Sequence, residues 1–154
     1  MSNTAIATIS EKILTIRKQP VILDSDLAAI YGTTTMALNQ AVSRNAERFP
    51  ERFSFVLNKE EFRQLKSQNV ISNSGRGGRT KAPRVFTEHG ALMASTVLRS
   101  KEAVAMSVYI IEAFVKMREE MTTNREILKR LAEIDKSLIQ HDTALFDTRP
   151  PPER

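Results

Sequence analysis

The side chains best suited to chemistry lie in two stretches, residues 24–44 and 63–84. In the first, DSDLAAIYGTTTMALNQAVSR, a helix expected over residues 34–45 puts Leu38, Ala41 and Val42 on one side of its wheel. Met36, Gln40 and Ser43 point the opposite way, with Asn39 and Arg44 on the flanks. Asn and Gln can pair with adenine, Arg with guanine or phosphate, and Met or Thr methyls with thymine. Thr34, Thr35, Met36, Asn39, Gln40, Ser43 and Arg44 are therefore candidates to meet DNA base edges. The second stretch holds Arg63, Lys66, Arg76, Arg79, Lys81 and Arg84 with no acidic residue, a local charge of +6 in a chain of formal net charge +5. The remainder is thus close to neutral, and localised basicity points to a polyanion more strongly than diffuse basicity does. Gly75, Gly77 and Gly78 let backbone amides approach a phosphate closely, so Arg76, Arg79, Lys81 and Arg84 are the candidates to hold the DNA backbone. The plainer readings are a helical hairpin with a polar outer face and a solvated loop with no partner.

Such side chains need a frame that presents them. A helix-turn-helix requires a small residue where two helices cross, a turn glycine four residues later and apolar residues beneath the second helix. Ala28, Gly32 and the set Leu27, Tyr31, Leu38, Ala41 and Val42 meet those needs. Asp24 is expected to cap the first helix, which runs through Tyr31 and stops at Gly32. Ahead of it, residues 13–16 and 21–23 read as a hairpin around a turn at 17–20. Phe53, Phe55 and Leu57 alternate with Ser54 and Val56 as a strand would, residues 59–68 read as helix, and 69–83 as a glycine-bearing loop. Val85 and Phe86 make a short strand, and Thr87 caps a helix running toward Leu98.

The longest helix is expected to begin near Ser100. Val104, Val108, Ile111 and Val115 recur at helical spacing, as do Ile110, Phe114, Met117 and Met121, a face broad enough for the centre of a packed domain. From Asn124 the pattern narrows to Ile127, Leu131, Ile134 and Leu138, with His141 and Leu145 continuing its steps of three and four. That seam predicts dimerisation through Ile127, Leu131, Ile134 and Leu138, set against a tail that folds back on its own domain. The organisation read from the sequence is an N-terminal segment 1–12, a domain 13–122, a helical self-association tail 123–148 and a disordered end 149–154. The fold class is α+β and helix-dominated: a helix-turn-helix domain with small strands, followed by a coiled-coil-like tail.

Composition narrows the alternatives. With 41% hydrophobic and 27% charged residues the chain can bury a core. Cysteine is absent, which removes disulfides, thiolate metal sites and cysteine nucleophiles. No apolar run approaches a membrane span and the start lacks a signal-peptide layout, so a cytoplasmic protein is expected. His89 and His141 are far apart, with no serine or aspartate constellation converging on either. His89 is read as structural or capping, and neither histidine as a metal ligand. The expectation is a non-enzyme without cofactor or metal.

Four stretches, VILDSDLAAIYG, LNQAVSRNAERFPERFSFVL, SGRGGRTKAPRVFTEHG and VLRSKEAVAMSVYIIEAFVKMRE, resemble in order the Orf-six-N domain family, related to the KilA-N and Bro-N DNA-binding domains. The likeness runs from about Ile13 to Arg118. Lys18 stands where that family often has glycine, His89 where it often has glutamine, and Thr80 interrupts a commonly longer basic pair. The resemblance implies nucleic-acid binding in a phage, prophage or regulatory setting, as a transcription regulator or an antirepressor. The expected partners are double-stranded DNA and a second copy of the chain. The competing reading is an antirepressor-like module that contacts another regulator.

Overall fold

The computed structural model describes residues 2–68 and 81–146. Arg76 and Arg79, the loop glycines and the end at 149–154 lie outside the described residues, as do the side chains of His141 and Leu145. The chain divides into two compact units, Met1–Met117 and Arg118–Arg154.

The first unit is built around a four-stranded antiparallel sheet of order β1-β2-β4-β3, from β1 (Ile13–Ile16), β2 (Gln19–Leu23), β3 (Ser54–Val56) and β4 (Arg84–Phe86). Strand alternation sends Ile22 and Phe86 to one face and Val21, Leu23, Phe55 and Val85 to the other. On the second face lies α4 (Lys59–Ser67) with Phe62 and Leu65, started by a capping box between Asn58 and Glu61. The first face meets α1 (Ser2–Ser10), α2 (Asp24–Ile30), α3 (Thr35–Arg44), α5 (Glu88–Leu98) and the beginning of α6 (Lys101–Phe146). The strands therefore sit between two apolar clusters rather than at the margin of the domain.

Three details differ from the sequence expectation. Residues 2–10 are helical, and α1 places Ile9 in the core. The hairpin turn is only Arg17 and Lys18, because Gln19 and Pro20 already pair with Ile16 and Thr15. Both turn residues have positive φ, 55° and 64°, a conformation that suits Asn-Gly and strains bulkier side chains. Arg17 is held there by a two-pronged bond to Glu61, at 2.9 and 3.1 Å, and by its position 4.0 Å above the Phe55 ring. The third difference is on α6, which Ser100 opens by accepting from the Ala103 amide. Its buried face is Ala103, Ile110, Ala113 and Phe114, whereas Val104 and Val108 are 56% and 53% exposed. Two apolar stripes share this helix, and the core takes the one whose alanines permit close approach.

In the second unit, α6 continues to Phe146. Ile127, Leu131, Ile134 and Leu138 are each at least half exposed, and Leu128 beside them is 65% exposed.

Candidate nucleic-acid interface

Helices α2 and α3 meet as the spacing of their small and apolar residues requires. Ala28 is buried at the contact, and Leu27, Tyr31, Leu38 and Val42 are buried beneath the pair. Ala41 is only half-buried. Gly32 turns the chain with φ of 72°, and a side chain there would collide with the Glu102 carboxylate 2.2 Å from the Cβ position. The Tyr31 hydroxyl donates to the Ala91 carbonyl at 2.8 Å, tying the end of α2 to α5. Burial pushes the Tyr31 phenol above its ordinary value, with a hydrogen bond to Ser95 opposing the shift.

On the outer side of α3, Met36, Gln40, Ser43 and Arg44 are exposed, Met36 by 72%. Thr34 is the N-cap, its hydroxyl accepting from the Ala37 amide at 3.0 Å, and Thr35 is half-buried in the first turn. Two surface depressions flank the helix and share Asn39 and Ser43. One is lined also by Met36, Gln40 and Arg44; the other by Asp24, Val56, Lys81, Ala82 and Arg84. The polar face of α3 is thereby continuous with Lys81 and Arg84 of the basic stretch.

Asp24 organises this junction from within. It was expected to cap α2, but Leu23 holds the cap position and Asp24 is buried as the first helical residue. Its Oδ1 accepts from the Ser25 amide at 2.7 Å. Its Oδ2 accepts from Asn39 Nδ2 at 3.0 Å and from the Arg84 amide at 3.3 Å. A buried carboxylate requires such donors, since an unpaired one is strongly disfavoured. One residue thus joins α2, α3 and β4. Asn39 is half-buried with one donor engaged, and its Oδ1 is buried without a partner. The amide therefore positions α3 in the free protein; its second N–H is not used by Asp24, and pairing with adenine through both groups would require the buried Oδ1 to come to the surface.

Arg84 is half-buried at the start of β4, its guanidinium donating to the Ser54 hydroxyl at 3.1 Å. Burial draws its pKa below the ordinary value, while the Asp24 charge opposes that. Lys81 is exposed. Thr87 caps α5 and also donates to the Phe53 carbonyl at 3.1 Å, while His89 stacks on the Phe53 ring at 5.4 Å. Gly90 is needed there, because a Cβ would lie 1.9 Å from that same carbonyl oxygen. Sequence reasoning missed the Asp24 hub and the part played by Ser54. The available signal was an acid placed directly after the apolar run Val21-Ile22-Leu23, where burial is the expected fate of its neighbours.

Among the described residues, no group of three or more histidine, aspartate or glutamate side chains could hold a metal ion. Among the same residues, no helix is long and apolar enough to cross a membrane. The family model that matches the chain is that of the ORF6N domain, over residues 11–97, more than half of the sequence. The match ends before α6 begins, short of Arg118, to which the sequence resemblance runs. No curated protein and no solved structure matches the chain.

Proposed function

Since the chain belongs to the ORF6N domain family, which is phage-associated, we propose that it is a regulatory protein that binds double-stranded DNA in the cytoplasm and catalyses no reaction. In this reading α2 and α3 act as a helix-turn-helix, with α3 in the major groove. Met36, Gln40, Ser43 and Arg44 face base edges there. Lys81 and Arg84, with Arg76 and Arg79 close before them in sequence, hold phosphates beside the groove. The observation that carries the reading is the pair of depressions sharing Asn39 and Ser43, which join the exposed polar face of α3 to Lys81 and Arg84. Self-association through the tail gives paired readers for paired half-sites.

The test is binding to random-sequence duplex DNA across a salt series. With about six phosphates neutralised, the log–log slope should be roughly −5. The double variant Arg79→Ala/Lys81→Ala should bind every duplex more weakly, with a slope shallower by roughly 2. Gln40→Ala should instead change the ranking among sequences, by about 1–3 kcal/mol at the affected base pair. Absence of binding at low salt would overturn the reading and favour a module that contacts another regulator. The specific observation behind that second reading is the exposed apolar seam of the tail.

A further inference from the structure

Along the tail, every described side chain from 118 to 138 except Met121 is exposed, including five large apolar ones. A helix does not carry such a column into water without a partner to cover it. Steps of three and four place Asn124, Leu131 and Leu138 at the a positions of a heptad and Ile127 and Ile134 at the d positions. The shape of the side chain at each site decides how many strands pack. β-Branched residues at a with leucine at d suit two strands, whereas leucine at a with isoleucine at d shifts the preference to larger bundles. The tail has the second arrangement in the heptad of Leu131 and Ile134, and Ile127 at d and Leu138 at a on either side of it make the same choice.

Two further observations point the same way. Leu128 falls at position e, outside a two-stranded seam, and it is the most exposed of the five at 65%. A dimer leaves Leu128 in water, while a four-stranded bundle draws its position toward an interface. The charges fix direction. Arg130 is at g and Asp135 at e five residues on, so between parallel chains Arg130 of one copy meets Asp135 of the next. Antiparallel chains would set Arg130 against Arg130 and Asp135 against Asp135. Asn124 opens the seam at an a position, where amides meet only between parallel chains in register. A single polar a layer also weighs on strand number, but it stands at the end of the seam and is outnumbered by the leucine and isoleucine layers.

We propose that residues 124–138 assemble four copies of this chain into a parallel bundle with Leu131 and Leu138 at a, Ile127 and Ile134 at d, and Leu128 in the additional contact. The assembly carries four readers. If the DNA-binding reading also holds, it supplies two pairs, and one assembly engages two separate DNA sites.

Sedimentation equilibrium on the full chain tests the count directly. The expected mass is four times 17.4 kDa, about 70 kDa, and a monomer, dimer or trimer overturns the proposal. A second variant exchanges the two layers without altering composition: Ile127→Leu, Leu131→Ile, Ile134→Leu and Leu138→Ile. It should halve the assembly to a dimer, and an unchanged four-chain mass would mean that core shape does not set the number. Direction is tested with Asn124→Cys, since the chain has no other cysteine. Mild oxidation should link copies in pairs if they run parallel, and failure to cross-link within the assembled species overturns the parallel arrangement. None of these readouts uses DNA, so their failure leaves the DNA-binding reading standing, and loss of that reading leaves them untouched.

Discussion

Helix α6 contains one repeat used in two ways. Counting back from Asn124 in steps of four and three gives Glu120, Met117, Ala113, Ile110, Met106 and Ala103, the same frame that runs forward through Ile127, Leu131, Ile134 and Leu138. In the first half these positions are buried or packed against the domain core, with Ala103, Ile110 and Ala113 fully covered. In the second half they are half exposed. Glu120 and Asn124 stand at the change. Periodicity specifies that a face must be covered, while the identity of its cover depends on what the rest of the chain supplies. Alanines recur where strands and helices of the same chain come close, and leucine and isoleucine take over where the proposed assembly would set long side chains against copies of themselves.

The sharpest way to break this comparison is to truncate one large residue in each half. Phe114→Ala should lower domain stability by about 3–5 kcal/mol in urea unfolding, because it opens a cavity in a close-packed core. Leu131→Ala should leave the domain transition in place and reduce the sedimenting mass. Equal effects on domain unfolding would mean that the two halves are not distinct. Gly90→Ala should cost a comparable amount, about 3 kcal/mol or more, because its methyl would occupy the Phe53 carbonyl. It should do so with no change in assembled mass.

Concentration and pH sharpen the contrast further. Domain unfolding should be independent of protein concentration, whereas tail helicity measured by circular dichroism should rise with it. The Tyr31 phenol is pushed up by burial, so an unfolded chain ionises at about pH 10 while the folded one keeps its proton. Domain stability is therefore complete below that pH and is lost as pH rises toward the folded value. Tyr31→Phe should cost about 1 kcal/mol at neutral pH through the lost bond to Ala91, yet flatten the alkaline decline. An unchanged alkaline decline would acquit Tyr31. The smallest effect is expected at Lys18→Gly, a gain of about 0.5–1 kcal/mol from relief of the positive φ, read as a raised urea midpoint.

What could be read in the sequence divides along the same line of local against distant causes. The α2–α3 pair was legible because Ala28, Gly32, Leu38 and Val42 lie within fifteen residues and act through spacing alone. The Thr87 cap, helix α4 and the sheet strands were legible for the same reason. The role of Asp24 was not, because its partners Asn39 and Arg84 are 15 and 60 residues away. Helix α1 went unassigned since Ile6 and Ile9 are too few to make a pattern without the core they touch. Val104 and Val108 read as core because the wheel shows two apolar stripes, and only the fold chooses between them. Of the candidate site, Asn39 and Ser43 of α3 line one depression with Lys81 and Arg84, and Arg84 is a strand residue with its guanidinium engaged by Ser54.

The bond between Asn39 and Asp24 has a bearing on descent. On one face of a single helix, Met36, Gln40, Ser43 and Arg44 are exposed, so mutations there can accumulate with little cost to folding. Asn39, set among them, also supplies a donor to a buried carboxylate, so an exchange there carries a folding cost that its neighbours escape. A lineage built on this chain would diversify its outward preferences around one slowly changing position, Asn39, whose exchange is eased by a compensating one at Asp24.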